Sequence, residues 1–249
     1  MGTREMFADQ AARHLLTANG LGGFDELWTL EVAWHEAPNE RRGGWSGVSR
    51  HVLLDGTAVF VKRQDNHLCR TIRHPVRGIP TFYREYANIL HLRKLRIAAV
   101  EALYYGDRNT DDHWRAILVT RALDEFVSLD EWNDRHPEGS SPLRQSVIKV
   151  VAQACARLHH HRLQHSCLYG KHLFIKCLPM ADGAVLGEAD VRFIDLEKLR
   201  KGFSRKRVGA HDIDQLMRHT PGWSALDRET FLAAYRAQSQ RLQQETDAA

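Results

Sequence analysis

Two short apolar runs, Leu173–Lys176 and Val191–Ile194, are separated by a segment carrying Pro179, Asp182, Gly183 and Gly187. Runs of this length bounded by turn residues read as strands, and the turn-rich interruption joins them as a long hairpin. Polar residues crowd the entry to the first strand, in HSCLYGKH, and the exit from the second, in DLEK. A hairpin closes its two ends on each other. It therefore brings His172, just before the first strand, close to Asp195, just after the second.

Phosphotransferases of the kinase type build a catalytic centre this way, with a loop before one strand and a metal-binding Asp after the next. On the loop template H-R-D-x-x-x-x-N, His165 takes the His place, Cys167 the Asp place and His172 the Asn place. Asp195, in FIDLEK, stands where the metal-binding Asp of D-F-G would be. HSCLYGKHLF and FIDLEKLR resemble the bacterial lipopolysaccharide core kinases of the InaA/WaaP type, and the matching motifs fall in 40–90, 165–200 and 205–216. The resemblance implies an α+β, two-lobed protein-kinase-like fold. An antiparallel-sheet N-lobe would cover 1–122, and a mainly helical C-lobe 123–249. It also implies ATP and Mg²⁺ as cofactors, and phosphorylation of a sugar hydroxyl, heptose or Kdo, of the lipopolysaccharide core.

The first half of the chain carries the parts such a fold needs. RRGGWSGVSRHVLLDGTAVFVKRQ reads as a glycine-rich turn, a strand, an Asp55-Gly56 hairpin and a second strand. Against G-x-G-x-x-G, positions 42, 44 and 47 are Arg, Gly and Gly, so Gly44 and Gly47 would let backbone N–H groups approach the ATP phosphates. Lys62 closes the alternating run Ala58–Val61. Thr81 follows Pro80 at a helix start, and Glu85 falls on the same face as Phe82, Ile89 and Leu92. An acid on an apolar stripe is costly unless paired, and Lys62 is its natural cation. The resemblance makes this the pair that positions nucleotide phosphates. The basic stretch between them resembles an insertion of the same family, in which Asn66, His67, Arg70, Arg73 or Arg77 would meet substrate phosphates; a surface loop accounts for it equally. Trp114–Thr120 reads as a buried strand, and the resemblance implies that it leads to a hinge at Thr120–Asp124.

The C-terminal half begins with Ser141-Pro142, an N-cap followed by proline at the first helical position. Val147, Val150, Val151, Ala154 and Leu158 give that helix its apolar stripe. His159, His160 and His161 are consecutive and point to different sides of a helix, which argues for structural or solvated roles over a metal site. Asp212 or Asp214 matches the buried Asp that braces the catalytic loop in kinase-like folds, while Asp212 as a helix N-cap fits the local sequence too.

Composition narrows the partners. The net charge of +4 is the difference between 35 basic and 31 acidic side chains, and does not by itself argue for nucleic acid. The basic residues cluster at Arg41–Arg42, Arg70–Arg77 and Lys198–Arg207, which suits the lipopolysaccharide core or another anionic glycolipid, or ATP, as phosphate-rich partners. Cys69, Cys155, Cys167 and Cys177 form no C-x-x-C pair, and reduced thiols in a cytoplasmic protein are the expectation. MGTREMFADQ carries charges where a signal peptide needs an apolar core, and no run of eighteen apolar residues exists. Any membrane contact is then peripheral, at the inner face of the inner membrane. Two classes stay open because Cys167 holds the base position: an active sugar kinase, with Cys167, His172 and Asp195 as its catalytic residues, and an ATP-binding pseudokinase with a regulatory role. A small-molecule kinase of the aminoglycoside or choline type shares the fold and fits FIDLEK less well.

Overall fold

The alternation at Ala58–Val61 becomes a strand in the computed structural model, which describes residues 2–41, 43–71, 74–110, 112–136, 141–177 and 189–248. The chain divides into two units, Met1–His91 with Val100–Ala122, and Leu92–Ala99 with Leu123–Ala249. The first contains β1 (Gly2–Phe7), α1 (Gln10–Ala18), α2 (Phe24–Trp28), β2 (Trp34–Arg41), β3 (Gly44–Val52), β4 (Ala58–Asp65), β5 (Leu68–Thr71) and β6 (His74–Pro80). It continues with α3 (Thr81–Lys94), whose last turn passes into the second unit, then β7 (Ala102–Asn109) and β8 (Trp114–Arg121).

Six of these strands form an antiparallel sheet in the order β1-β7-β8-β4-β3-β2. Strand periodicity sends alternate residues to opposite faces, and β4 shows how the two faces differ. Val59 and Val61 join Ala12, Leu16, Phe24, Leu27 and Ile117 in the core under α1 and α2. Arg63 follows them, and its guanidinium donates to the carbonyls of Trp28 and Leu30 and lies 4.5 Å from the Trp34 ring. Lys62 and Gln64 point the other way, towards α3. The basic stretch after Asp65 folds as the separate β5–β6 hairpin, with Leu68 opposite Pro80. Arg42 and Arg73, read above as part of the glycine turn and the basic cluster, lie outside the described residues.

The second unit holds β9 (Val127–Ser128), α4 (Leu129–Arg135), α5 (Pro142–His160), β10 (Leu163–Gln164), β11 (Leu173–Cys177), β12 (Ala189–Phe193), β13 (Arg200–Lys201), α6 (Arg205–Arg218) and α7 (Ala225–Asp247). The hairpin read from sequence is present, with Leu173 opposite Phe193 and Ile175 opposite Val191; its connection, with Pro179, Asp182, Gly183 and Gly187, lies outside the described residues. The segment Leu92–Ala99 joins this unit through the bond from Phe193 N–H to the Ala98 carbonyl. Ser141 caps α5 by accepting from Arg144 N–H. The apolar face of α5 differs from the expected stripe. Val147, Val151 and Leu158 are buried with Ile148, Ala152 and Cys155, whereas Val150 and Ala154 line a cavity of about 290 Å³ beside Ile97 and Phe193.

Packing of α5 against α7 includes one buried ion pair that periodicity could not announce. Arg144 and Asp227 are each 2% exposed, joined at 2.8 Å. Arg144 also donates to the carbonyls of His136 and Gly222, and Asp227 accepts from Ser224 N–H in the capping box of α7. Burial raises the Asp227 pKa, but Arg144 and Ser224 outweigh it and hold the carboxyl below its ordinary range. Removing one partner leaves a buried charge uncompensated. Asp227→Ala should therefore cost about 3–5 kcal/mol, measured by urea denaturation, and a loss below about 1 kcal/mol, the range of an exposed pair, would show that the pair is not holding these helices.

Candidate active site

In the first unit, the site starts from two side chains on one face of β4. Gln64 Oε1 accepts from Phe82 N–H at 3.3 Å and from the Thr81 hydroxyl at 2.8 Å, so it ties the first turn of α3 to the strand. Glu85, one turn further along α3, then meets Lys62, two residues back on β4, at 2.7 Å. Glu85 is 3% exposed and Lys62 about a quarter exposed. The acid is sequestered and the cation keeps access to solvent, which is the arrangement of an ammonium held for an anionic ligand. Gln64 was not singled out in the sequence; its signal is its place on the Lys62 face of an alternating strand.

Gly44 and Gly47 have packing reasons of their own. A side chain at Gly44 would meet the Asp65 carbonyl at 2.3 Å, and one at Gly47 would meet the Trp34 ring at 2.7 Å. In the basic hairpin, Asn66 is engaged by the Asp112 carbonyl and Trp114 N–H, and Arg77 lines a cavity of about 490 Å³ with His113 and Trp114.

In the second unit, the loop between β10 and β11 is pinned from α6. Asp212 is fully buried in mid-helix, with Ser204 as the N-cap, so its carboxylate is free to serve the loop. It accepts from His165 N–H at 2.6 Å and Ser166 N–H at 3.0 Å. Gln215, one turn later on the same face, accepts from Leu168 N–H at 3.1 Å. Asp214, the other candidate, is exposed and paired with Arg218. His159 Nε2 lies 3.2 Å from Asp212, and its Nδ1 lies 2.9 Å from the Tyr235 hydroxyl, so the first histidine of the triplet is a buried structural link. Burial raises the Asp212 pKa, yet His159 and the loop N–H groups outweigh it, and the carboxyl is held below its ordinary value.

Pinning the loop brings the expected residues together. His172 Nδ1 lies 2.7 Å from the Cys167 carbonyl, which can only accept, so Nδ1 carries the proton. Nε2 is thereby aimed at Asp195 Oδ2, 3.4 Å away. Ile194 N–H donates to the His172 carbonyl, and Asp195 takes a left-handed conformation (φ 56°), which Asp tolerates better than most side chains. Asp195 Oδ2 and His172 Nε2 thus face each other across 3.4 Å. Asp195 fits Mg²⁺, which is commonly held by one carboxylate together with substrate phosphates; the imidazole is the poorer donor. Among the described residues no group of three or more His, Cys, Asp and Glu is placed to hold a metal alone.

Cys167 is 9% exposed. Neither of the cations nearest to it in the sequence, Lys171 or His165, engages its thiol. Lys171 extends over the Tyr169 ring, and His165 is buried with Nε2 donating to the Ile194 carbonyl at 2.9 Å. Lys198 does so instead, with Nζ 3.5 Å from Cys167 Sγ. Desolvation lowers the Lys198 pKa, but the sulfur, with Glu197 and Asp195, outweighs it and raises the value.

Burial lowers the pKa of His165, opposed by its bond to Ile194 and by Asp212; His172 acts with burial and Asp195 against it. Its Nδ1 has no hydrogen-bond partner among the described residues, so protonation would bury an unsatisfied charge. The unfolded chain takes that proton near pH 6.5 and the folded chain only at lower pH. The contribution is complete above about pH 7 and is lost as pH falls through 6.5 towards the folded value, up to about 1 kcal/mol by pH 5.5. Denaturation of wild type and His165→Gln at both ends of that window checks it. Identical pH slopes in the two proteins would contradict it.

Residues 25–235 match the lipopolysaccharide kinase (Kdo/WaaP) family. The chain is 33% identical to Protein InaA of Escherichia coli (strain K12) over 216 residues, which cover 86% of this chain and 95% of that protein. A solved structure of WaaP in complex with acyl carrier protein superposes with a TM-score of 0.67 at 20% identity, covering 98% of this chain and 94% of WaaP. The fold is accordingly α+β and protein-kinase-like, with an antiparallel sheet in the first unit and mainly helices in the second. By sequence match across most of its length, the chain belongs to the lipopolysaccharide kinase (Kdo/WaaP) family.

Proposed function

We propose that this protein is an ATP- and Mg²⁺-dependent phosphotransferase that acts on a sugar hydroxyl, of heptose or Kdo, in the lipopolysaccharide core. The observation that carries the reading is the convergence of Asp195, His172 and Cys167 on a loop braced by Asp212. Lys62, held by Glu85, binds phosphate oxygens of the nucleotide. Gly44 and Gly47 contribute backbone N–H groups near the phosphates, a role supported by the motif alone. Bound at Asp195, Mg²⁺ supplies positive charge to the phosphate oxygens. His172, fixed at Nδ1 by the Cys167 carbonyl, places Nε2 beside Asp195 Oδ2. Cys167 takes the proton of the acceptor hydroxyl on Sγ as the hydroxyl oxygen bonds to the γ-phosphorus and the bond to the ADP oxygen breaks.

A thiol ordinarily titrates near 8.5, so it serves as a base at neutral pH only beside a cation. Lys198 is that cation. The pseudokinase reading draws on the same position, because a thiol there replaces a carboxylate. Both readings retain nucleotide binding. Asp195→Ala should abolish the Mg²⁺ dependence of nucleotide affinity, and Lys62→Ala should weaken affinity itself, both measured by titration calorimetry. An Asp195→Ala protein that keeps its full Mg²⁺ response would sink the metal assignment.

The base is tested in a phosphotransfer assay with lipopolysaccharide core as acceptor. General-base catalysis contributes about 10²–10⁴-fold, so Cys167→Ala should lose activity within that range, and Lys198→Met should lower it too. Activity absent in wild type, Cys167→Ala and Cys167→Asp alike, with nucleotide still bound, would establish the pseudokinase.

A further inference from the structure

Phe203 is 91% exposed, an unusual state for a phenyl ring, and the turn that carries it is anchored on both sides. Before it, β13 pairs with β10, placing Lys201 opposite Leu163, and Gly202 N–H donates to the Arg162 carbonyl at 2.8 Å. Gly202 is obligatory there, since a side chain would meet buried Val208 at 2.3 Å. After it, Ser204 caps α6 by accepting from Arg207 N–H, and Arg205 turns inward to the His160 carbonyl. The ring is presented by a fixed turn and takes no part in the core.

Its neighbours along the chain are basic. Lys198, Arg200, Lys201, Lys206 and Arg207 are exposed, and no acidic residue occurs between Glu197 and Asp212. We propose that this turn docks on an anionic lipid surface, with Phe203 entering the boundary between headgroups and acyl chains and the flanking cations pairing with headgroup phosphates. An apolar tip ringed by Lys and Arg is the chemistry of an interfacial anchor. Single-stranded nucleic acid would instead favour several stacking rings along a groove, and Phe203 stands alone at its apex. The inference rests on the proposed glycolipid acceptor, which is presented at such a surface, and Phe203 lies eight residues after Asp195 in the chain.

The test is co-sedimentation of the purified full chain with vesicles of phosphatidylcholine, alone or mixed with phosphatidylglycerol, without nucleotide or lipopolysaccharide. Wild type should bind only the anionic vesicles, and more weakly as salt rises. The double variant Lys206→Gln/Arg207→Gln should lose roughly fivefold for each cation removed. Phe203→Ala should lose about tenfold, the partitioning of one phenyl ring, with its thermal unfolding unchanged. Equal binding to both vesicle types, or either variant binding as wild type, overturns the proposal, as does tighter binding to a single-stranded oligonucleotide. ATP affinity measured without vesicles separates the two readings. Its absence with vesicle binding intact defeats the phosphotransfer reading alone, and its presence without vesicle binding defeats only the anchor.

Discussion

A buried carboxylate must find donors, and Asp212 satisfies that requirement in a way that shapes the second unit. Sitting in mid-helix, it has no helix end to cap, so its donors come from elsewhere: the backbone of His165 and Ser166 and the ring of His159. Two successive N–H groups can point at one carboxylate only if the chain turns sharply, and Ser166 does so with φ at 69°. That turn sets where Cys167 falls, the Cys167 carbonyl sets the tautomer of His172, and the His172 backbone holds Ile194 beside Asp195. The order of the site is thus a chain of hydrogen bonds beginning at one acid.

The first unit follows the same logic with different parts. Gln64 satisfies the start of α3 from a neighbouring strand, and the spacing of one helical turn then delivers Glu85 to Lys62. The neutral hydrogen bonds of Gln64 thus place the Lys62–Glu85 pair, whereas the exposed pairs on α6 and α7 each join residues within one helix.

What the sequence disclosed divides along these lines. The β11–β12 hairpin, the Ser141 cap and the Lys62–Glu85 pair were legible because each leaves a local signature: apolar runs split by turn residues, a capping dipeptide, an acid on an apolar stripe; the brace came only from the family resemblance, which left Asp212 and Asp214 open. The edge strands were not. β1 is short and half exposed, and β2 carries Pro38 with two register shifts, features edge strands tolerate because one side makes no ladder. Arg144–Asp227 was hidden by its separation in the chain. Gln215 and Lys198 were hidden because each acts on the loop from an element that only the fold brings near it.

The substitution at position 167 can then be weighed as physics. The scaffold that would orient a carboxylate is intact around a thiol: the backbone on either side is bonded, and the loop conformation is fixed by Asp212, Gln215 and His172. What a thiol lacks is charge at neutral pH, and the fold brings a cation to it in Lys198, on the turn that follows Asp195. Lys198 also stands at the head of the basic, Phe203-bearing segment, three residues after Asp195. The side chain that reaches the thiol thus comes from the turn that leads into the basic surface, a connection that runs through the fold and not through the loop itself.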